Sequence, residues 1–325
     1  MSNSKLNGTK PLVWVVDSAY TGELHARIGV AERLGYGYAI IPQPGDDYGA
    51  YQQILKERYN NESKGSPLLV ISGTGEETTA EIADLRPLFD ERLFNIYLAS
   101  ILPDERHPRL AEYDLIASPQ LTGKKVVTLT GVPHQLTRER LTNAYRQHAS
   151  YFEALPKPII GVLLGGNTRY CSGFDEGHAR QIARHVTKLN SELKGTIVVT
   201  NSRRTPENAL AALLDQLNGL NFDFLDCQQN DIGLYHALLA HTDIFIVTGD
   251  SLSMCSEAAF TGKPLLVDLS KNATECFHRE IVGRLIDCGA ARLLSGEFEF
   301  WSYTPPDPTE EVVQEIKARI QGFFN

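Results

Sequence analysis

The sequence predicts an α/β protein of two doubly wound, Rossmann-like domains that face a common cleft. Three observations support this fold class. The apolar runs are continuous rather than alternating, helix-like stretches separate them, and the same alternation starts again in the second half of the chain. Continuous apolar strands separated by helices are typical of parallel sheets that are covered on both faces. In such sheets, ligands bind at the carboxyl ends of the strands.

Length and composition narrow the class of protein. The chain has 325 residues, which at about 150 per domain predicts two domains. A net charge of −9 argues against nucleic acid as the main partner, because phosphate binding normally needs a basic excess. The sequence contains no uninterrupted apolar stretch of membrane-spanning length and begins with a polar segment, so we expect a cytoplasmic protein. The five cysteines are scattered without a CxxC pair, which predicts reduced thiols and no zinc site.

The first half alternates predicted strands with predicted helices. The strands are residues 12–16, 38–41, 68–72, 95–98, 115–117 and 126–129, and the helices are residues 23–34, 51–59 and 137–152. Two prolines around a lysine at residues 155–158 then form a stiff, exposed segment. This segment predicts a boundary between one domain of residues 1–155 and another of residues 156–325.

The second half repeats the alternation. Its predicted strands are residues 159–164, 196–200, 222–225, 244–247 and 265–269, and its predicted helices are residues 176–193, 206–217, 233–241, 275–286 and 310–324. The last helix is amphipathic. The repeat of the pattern predicts a second parallel sheet of the same kind.

One stretch of the second half, residues 243–264, carries the clearest local signals. A buried strand is followed by a helix for which Asp250 is the expected N-cap and Gly262 the expected stop. Asp250, Ser253 and Glu257 fall on one face of that helix. Backbone amides and the helix dipole make the helix start, near Ser251, a place for an anion such as a diphosphate. Glu257, roughly 10 Å further along, is expected to accept from a vicinal diol of the same ligand.

Small and polar residues follow three strands of the second half. They are the segments Gly165-Gly166-Asn167, Asn201-Ser202-Arg203-Arg204-Thr205 and Thr248-Gly249-Asp250-Ser251. Because the carboxyl ends of parallel strands share one edge, the three loops are expected to surround one ligand. The glycines allow close approach of the backbone, and Arg203 or Arg204 is suited to pair with a phosphate. The alternative is that the glycines form ordinary turns and that both arginines are solvated.

In the first half, three titratable residues lie at or just beyond the end of the first strand. Asp17, Glu23 and His25 are our candidates for a general base. The alternative is that they are surface or helix-capping residues.

Two other segments partly match known motifs. Gly249-Asp250-Ser251-Leu252 spells the GDSL of a lipase and esterase family, in which the serine is the nucleophile, but that serine belongs near the chain start. Here the only downstream histidine is His278. The glycine pair at Gly165 lacks the GxGxxG spacing of a dinucleotide redox site. A serine hydrolase is therefore a remote alternative.

The segment VTGDSLSMCSEAAFTGKPLLV resembles the strongest signature of the ELM1 family, which is named after a plant mitochondrial fission factor. Supporting segments are Ser202-Arg203-Arg204-Thr205-Pro206, Leu239-Ala240 and Gly29-Val30-Ala31-Glu32. That family is in turn similar to two-domain nucleotide-sugar glycosyltransferases of the GT-B class, including lipid-linked transferases of cell-envelope synthesis.

The resemblance implies a metal-independent glycosyltransferase without a cofactor, whose second domain binds the nucleotide-sugar donor. It implies that Ser251 to Ser253 hold the diphosphate and that Glu257 holds the ribose hydroxyls. It also implies a C-terminal helix that crosses back to the first domain, a lipid-linked acceptor and peripheral membrane association. The first half departs from the family pattern, with Asp17-Ser18-Ala19 at its opening, so the acceptor and the base stay open. The alternative function is a scaffold or recruitment protein that keeps the fold without catalysis.

Overall fold

The computed structural model describes residues 10–63, 65–73, 76–98, 106–168, 170–229, 231–295 and 298–324. The chain forms two compact units. The first comprises Met1–Gln135 together with Asp307–Asn325, and the second comprises Leu136–Pro306. Each unit contains a six-stranded parallel sheet with helices between most of the consecutive strands. The predicted α/β class with two doubly wound units is therefore confirmed.

The sheet of the first unit has the order β2-β1-β3-β4-β5-β6. Its strands are β1 (Leu12–Val16), β2 (Ala39–Ile41), β3 (Leu68–Gly73), β4 (Leu93–Leu98), β5 (Leu115–Ser118) and β6 (Val126–Thr128). Its helices are α1 (Thr21–Leu34), α2 (Tyr48–Ser63), α3 (Glu76–Ala83), α4 (Arg86–Phe89) and α12 (Pro308–Phe323). The short helices α3 and α4 were not predicted. Strands β3 and β4 are buried along their whole length, as expected for continuous apolar runs in a sheet that is covered on both faces.

The C-terminal helix α12 belongs to the first unit. Its apolar stripe, which includes Val313 and Ile316, is fully buried in the same core as α1 and the central strands. Arg33 of α1 contacts Asp307 at 2.7 Å, and the Asp307 side chain caps the helix by accepting from the amide of Glu310. The amphipathic pattern of the last helix is thus satisfied by the sheet of the first half.

The second unit has the strand order β12-β11-β10-β7-β8-β9. Its strands are β7 (Ile159–Leu163), β8 (Thr196–Thr200), β9 (Phe222–Leu225), β10 (Ile244–Thr248), β11 (Leu265–Asp268) and β12 (Ala291–Leu293). Its helices are α5 (Arg138–Gln147), α6 (Ala149–Phe152), α7 (Glu176–Leu193), α8 (Glu207–Gln216), α9 (Ile232–His241), α10 (Leu252–Thr261) and α11 (Cys276–Asp287). Strand β12, at the edge, was not predicted.

The chain passes from the first unit to the second after Gln135, whereas the prolines of residues 155–158 predicted a boundary after residue 155. The reason is the packing of α5 and α6, which the sequence predicted as one helix and assigned to the first domain. Leu141 and Phe152 are buried in the core of the second unit. The ring of His241 lies between Tyr145 and Phe152, with centroid distances of 3.9 and 4.6 Å.

Within the described ranges, no helix combines the length and the apolar character that a membrane span requires.

Candidate functional site

The strand order of the second unit creates a switch point between β7 and β10. The chain proceeds from β7 to β8 and β9 on one side, then returns to β10 on the other side of β7. Crevices beyond the carboxyl ends of the strands at such a point are the usual ligand sites of open parallel sheets. The loop after β7, with Gly165, Gly166 and Asn167, and the loop after β10, with Asp250 and Ser251, both lie there.

Asp250 joins these two loops and does not cap helix α10. The helix begins at Leu252, and its N-cap residue is Ser251, whose side chain makes no capping hydrogen bond. The Asp250 carboxylate accepts instead from the amide of Gly166 at 2.7 Å and lies 3.0 Å from the guanidinium of Arg204. Burial raises the pKa of this carboxyl, while Arg204 and the Gly166 amide act in the opposite direction. The predicted N-cap role is therefore wrong.

The two glycines after β7 are required by packing between the loops. A Cβ on Gly165 would lie 2.2 Å from an oxygen of Asp250, and one on Gly166 would lie 2.0 Å from the backbone oxygen of Arg204. The amide of Gly165 already donates to the hydroxyl of Thr248 at 2.7 Å. The amides of both glycines already donate hydrogen bonds within the protein. The two glycines therefore serve to pack the loops together at the switch point.

The loop after β8 also contacts the loop after β7. We call the contact between the loops after β7, β8 and β10 the loop junction. Ser202 donates through its hydroxyl to the backbone oxygen of Gly165 at 3.0 Å, and Arg204 donates to the backbone oxygens of Gly166 and Asn167, each at 3.2 Å. The Asn167 side chain accepts from the amide of Phe174 at 3.0 Å and so braces its own loop. Of the two arginines considered as phosphate ligands, Arg204 is thus engaged by the loops, and Arg203 has an exposed side chain.

The start of helix α10 supplies donors toward the crevice. The amide of Cys255 donates to the backbone oxygen of Ser251 at 3.0 Å, which is the first bond of the helical ladder. The amides of residues 252–254 precede that bond and have no acceptor within the helix. Ser253 is partly exposed, whereas Cys255 on the opposite face is fully buried. The positive end of the helix dipole therefore lies at the switch point.

Glu257 lies about one and a half turns along the same helix and is held by a residue that the sequence analysis missed. Its Oε2 accepts from the hydroxyl of Tyr235 on helix α9 at 2.6 Å. Oε1 makes no hydrogen bond within the part of the chain that the structure describes. Burial raises the pKa of the Glu257 carboxyl to about 7, and the bond from Tyr235 acts to lower it. Glu257 is therefore a partly buried carboxyl poised to change its charge near neutral pH, with one oxygen available.

In the first unit, two of the predicted residues, Asp17 and Glu23, lie beside the buried Arg27. The order of this sheet changes direction between β1 and β3, and Arg27 donates to the backbone oxygens of Val16 and Asp17 at 2.7 and 2.8 Å and also to that of Gly73. Glu23 accepts from the hydroxyl of Ser18 at 2.9 Å and lies 3.7 Å from Arg27.

The remaining groups of this cluster differ in exposure. Asp17 is exposed and accepts from the amide of Ser18 through its side chain, and His25 is partly buried. Because Glu23 is engaged by Ser18 and Arg27, Asp17 presents the more accessible carboxylate of the two.

Two other predictions concern the second unit. His278, the histidine considered for a serine hydrolase, lies 2.7 Å from the carboxylate of Glu275, and Ser251 is nearly buried. Among the residues that the structure describes, no three His, Cys, Asp or Glu side chains are arranged to hold a metal ion. The absence of a cofactor stays a prediction.

Solved structures that match nearly the whole chain identify the fold. The UDP-GlcNAc 2-epimerase of Methanocaldococcus jannaschii has a TM-score of 0.59 at 12% identity and matches 95% of this chain and 92% of its own. The Neisseria meningitidis UDP-GlcNAc 2-epimerase, solved with UDP-GlcNAc, has a TM-score of 0.55 at 13% identity, over 96% and 91% of the two chains. Acinetobacter baumannii MurG has a TM-score of 0.50 at 13% identity, over 97% and 92%. The fold is therefore GT-B-like.

The family follows from the sequence comparison. Residues 21–320 match the family model described as mitochondrial fission ELM1, so the chain belongs to that family. The mitochondrial fission protein ELM1 of Arabidopsis thaliana is 27% identical in an alignment of 293 positions that covers 79% of this chain and 65% of the plant protein. An uncharacterized protein of Rickettsia prowazekii is 26% identical in an alignment of 351 positions that covers 95% of this chain and 98% of that protein. The resemblance stated from the sequence is confirmed.

Proposed function

We propose that the protein is a glycosyltransferase whose second unit binds a nucleotide-sugar donor. The observation that carries the proposal is on helix α10. The amides of residues 252–254, which have no acceptor within the helix, lie at the switch point. Glu257 Oε1, which makes no hydrogen bond to a described residue, lies about one turn further along the same helix. A diphosphate binds at the amides, and the ribose diol donates to Glu257. The GT-B-like fold supports this class of ligand, since a neighbour of that fold was solved with UDP-GlcNAc.

The residues of the donor site have different roles. Ser251 and Ser253 border the diphosphate, and Arg203, which is exposed beyond β8, offsets the charge of the leaving nucleotide. The residues of the loop junction, Gly165, Gly166, Asn167, Ser202 and Asp250, set the shape of the crevice. Neither a metal ion nor a cofactor is part of the proposal.

The acceptor binds at the first unit. Asp17, Glu23 and His25 are kept as candidates for the base that deprotonates the acceptor hydroxyl, with Asp17 favoured by its accessibility. A lipid-linked acceptor and peripheral association with a membrane belong to the proposal through the family resemblance.

A thermal-shift screen tests the donor proposal. The protein is heated with UDP-, GDP-, ADP- and CMP-sugars and with the free nucleotides. A ligand at about 100 times its Kd stabilises by about 2.7 kcal/mol, which raises the Tm by roughly 5–10 °C for a unit of this size. At a fixed ligand concentration, Glu257→Ala should lose most of the shift and keep its unliganded fold, whereas the exposed Glu192→Ala should behave as wild type. The absence of a shift with every ligand would contradict the proposal.

The second candidate is a non-catalytic recruitment protein. It is favoured by the name of the Arabidopsis relative, which refers to mitochondrial fission rather than to a reaction. A protein that binds a nucleotide-sugar but releases no nucleotide in the presence of cell-envelope lipid extracts, and that captures a protein partner, would favour this candidate. The serine hydrolase alternative predicts that Ser251 reacts with a fluorophosphonate, and a lack of labelling removes it.

A further inference from the structure

We infer that Tyr235 is the positioning residue of the nucleotide-sugar site, which orients the Glu257 carboxylate so that Oε1 faces the ribose diol. The inference rests on the proposed function and deepens it, because it assigns the discrimination between ribose and deoxyribose to a pair of side chains from two helices. Tyr235 lies on α9 and Glu257 on α10, and the two residues are 22 positions apart in sequence.

The geometry of the pair supports an orienting role. The oxygen–oxygen distance of 2.6 Å is that of a strong bond from a hydroxyl to a carboxylate. The Tyr235 ring packs against the core of the second unit, together with Leu234 and Leu252. Since the ring is held by packing, the hydroxyl has a defined position, and the otherwise flexible glutamate side chain takes its orientation from it.

Orientation decides which lone pairs the ligand meets. A carboxylate has about four acceptor sites, and Tyr235 occupies one on Oε2. The sites on Oε1 are then presented in a fixed direction, so both hydroxyls of a vicinal diol can be met without ordering the side chain again. Without the tyrosine hydroxyl, ligand binding must restrict the glutamate rotamers and loses part of its affinity.

The same bond also controls the charge of the site. Glu257 is partly buried and has Tyr235 as its hydrogen-bond donor within the described ranges. Removal of the hydroxyl would leave a desolvated carboxylate without a protein donor and would favour its neutral form. A neutral carboxyl is a weaker acceptor for a diol. Orientation and charge therefore both predict that the Tyr235 hydroxyl strengthens binding of the ribose and not of the diphosphate.

The test uses the tightest-binding member of UDP, GDP, ADP and CDP, together with its 2′-deoxy counterpart, in isothermal titration calorimetry. Wild type is expected to prefer the ribose form. Tyr235→Phe should weaken binding of the ribose form roughly tenfold and that of the deoxy form much less, so that the preference collapses. A general loss of structure would weaken both forms equally.

Two further variants make the result specific. Tyr151→Phe removes another tyrosine–carboxylate bond of the same unit, 2.9 Å long to Asp223, and should leave both affinities unchanged. In a Glu257→Gln background, Tyr235→Phe should have little further effect on the ribose form, because the two residues act as one unit.

The outcomes separate this inference from the function on which it rests. If wild type binds none of the four nucleotides, the proposed function fails and the inference fails with it. If wild type prefers the ribose form and Tyr235→Phe keeps the same preference, the positioning role is wrong while the proposed function stands. Fully additive effects of Tyr235→Phe and Glu257→Gln on the affinity for the ribose form would also overturn the positioning role.

Discussion

The carboxylate of Asp250 and the amide of Gly166 are joined by a hydrogen bond of 2.7 Å, which ties the loop after β10 to the loop after β7. The guanidinium of Arg204, from the loop after β8, contacts the same carboxylate. Three loops from separate strands are therefore locked around one buried charge, beside the start of α10. The position of that helix start, and so of any anion bound there, depends on this junction.

Gly166→Ala should destabilise the second unit. The new Cβ would lie 2.0 Å from the backbone oxygen of Arg204, which cannot move aside without opening the junction. We expect a loss of about 1–3 kcal/mol in the free energy of unfolding, the range for overpacked sites. Urea denaturation measures it. Gly283→Ala is the control, because its Cβ would meet nothing within 4 Å in the middle of α11 and should be neutral or stabilising.

The buried carboxyl of Glu257 should make stability depend on pH. Its pKa in the folded protein is about 7, above the ordinary value of 4.5, so folding is favoured by the bound proton at low pH. That contribution is complete below pH 4.5 and is lost as the pH rises through 7. Relative to wild type, Glu257→Gln should therefore gain stability between pH 5 and 8, by up to about 3 kcal/mol. Unfolding curves at several pH values measure it, and a constant difference would contradict the prediction.

The affinity for a nucleotide should increase with pH, whereas the stability that the Glu257 proton contributes decreases with pH. The ionised carboxylate is the better acceptor for a diol, so affinity should rise as the pH increases through about 7. Calorimetric titrations between pH 6 and 8 test this prediction. The 2′-deoxy nucleotide should show a weaker dependence, and equal slopes for the two ligands would argue against Glu257 as the ribose acceptor.

Arg27→Met should destabilise the first unit. The arginine is 2% exposed and donates to backbone oxygens at the ends of β1 and β3, which the substitution would leave without their donor. Leaving several buried oxygens unpaired should cost about 3 kcal/mol or more. Arg180→Met is the control, because Arg180 pairs with Glu176 on the surface and should change stability by less than about 0.5 kcal/mol. Equal effects of the two substitutions would be inconsistent with a bracing role for Arg27.

Ile316→Ala tests the docking of the C-terminal helix on the first unit. Ile316 is fully buried in the core shared with α1 and the strands, so its truncation should cost about 2–5 kcal/mol. Gln314 is exposed on the same helix, and Gln314→Ala should be nearly silent. A small effect of Ile316→Ala would indicate that the helix contributes little to that unit.

The fold was predictable because its signals are local. Continuous apolar runs mark buried parallel strands, and Gly262, with a φ of 84°, ends α10 where the sequence placed the stop. The boundary between the units was less predictable. The prolines at residues 155–158 are a local signal, whereas the choice of core by α5 and α6 depends on tertiary contacts such as that of Phe152 with His241.

The candidate site was predictable in its location and less so in its contacts. Loops after parallel strands must share an edge, so Gly165, Ser202 and Asp250 could be placed together. Asp250 next to a helix start also fits an N-cap, and only the approach of Gly166 and Arg204 makes it a bridge between loops. Tyr235 carries no motif, because nothing local indicates which residue of α9 faces Glu257.

A crystal structure with the nucleotide-sugar that gives the largest thermal shift tests the central claim most directly. The account predicts the diphosphate at the amides of residues 252–254, and the ribose hydroxyls within hydrogen-bond distance of Glu257 Oε1, with the bond from Tyr235 retained. A nucleotide bound elsewhere, or bound with its ribose turned away from Glu257, would contradict it.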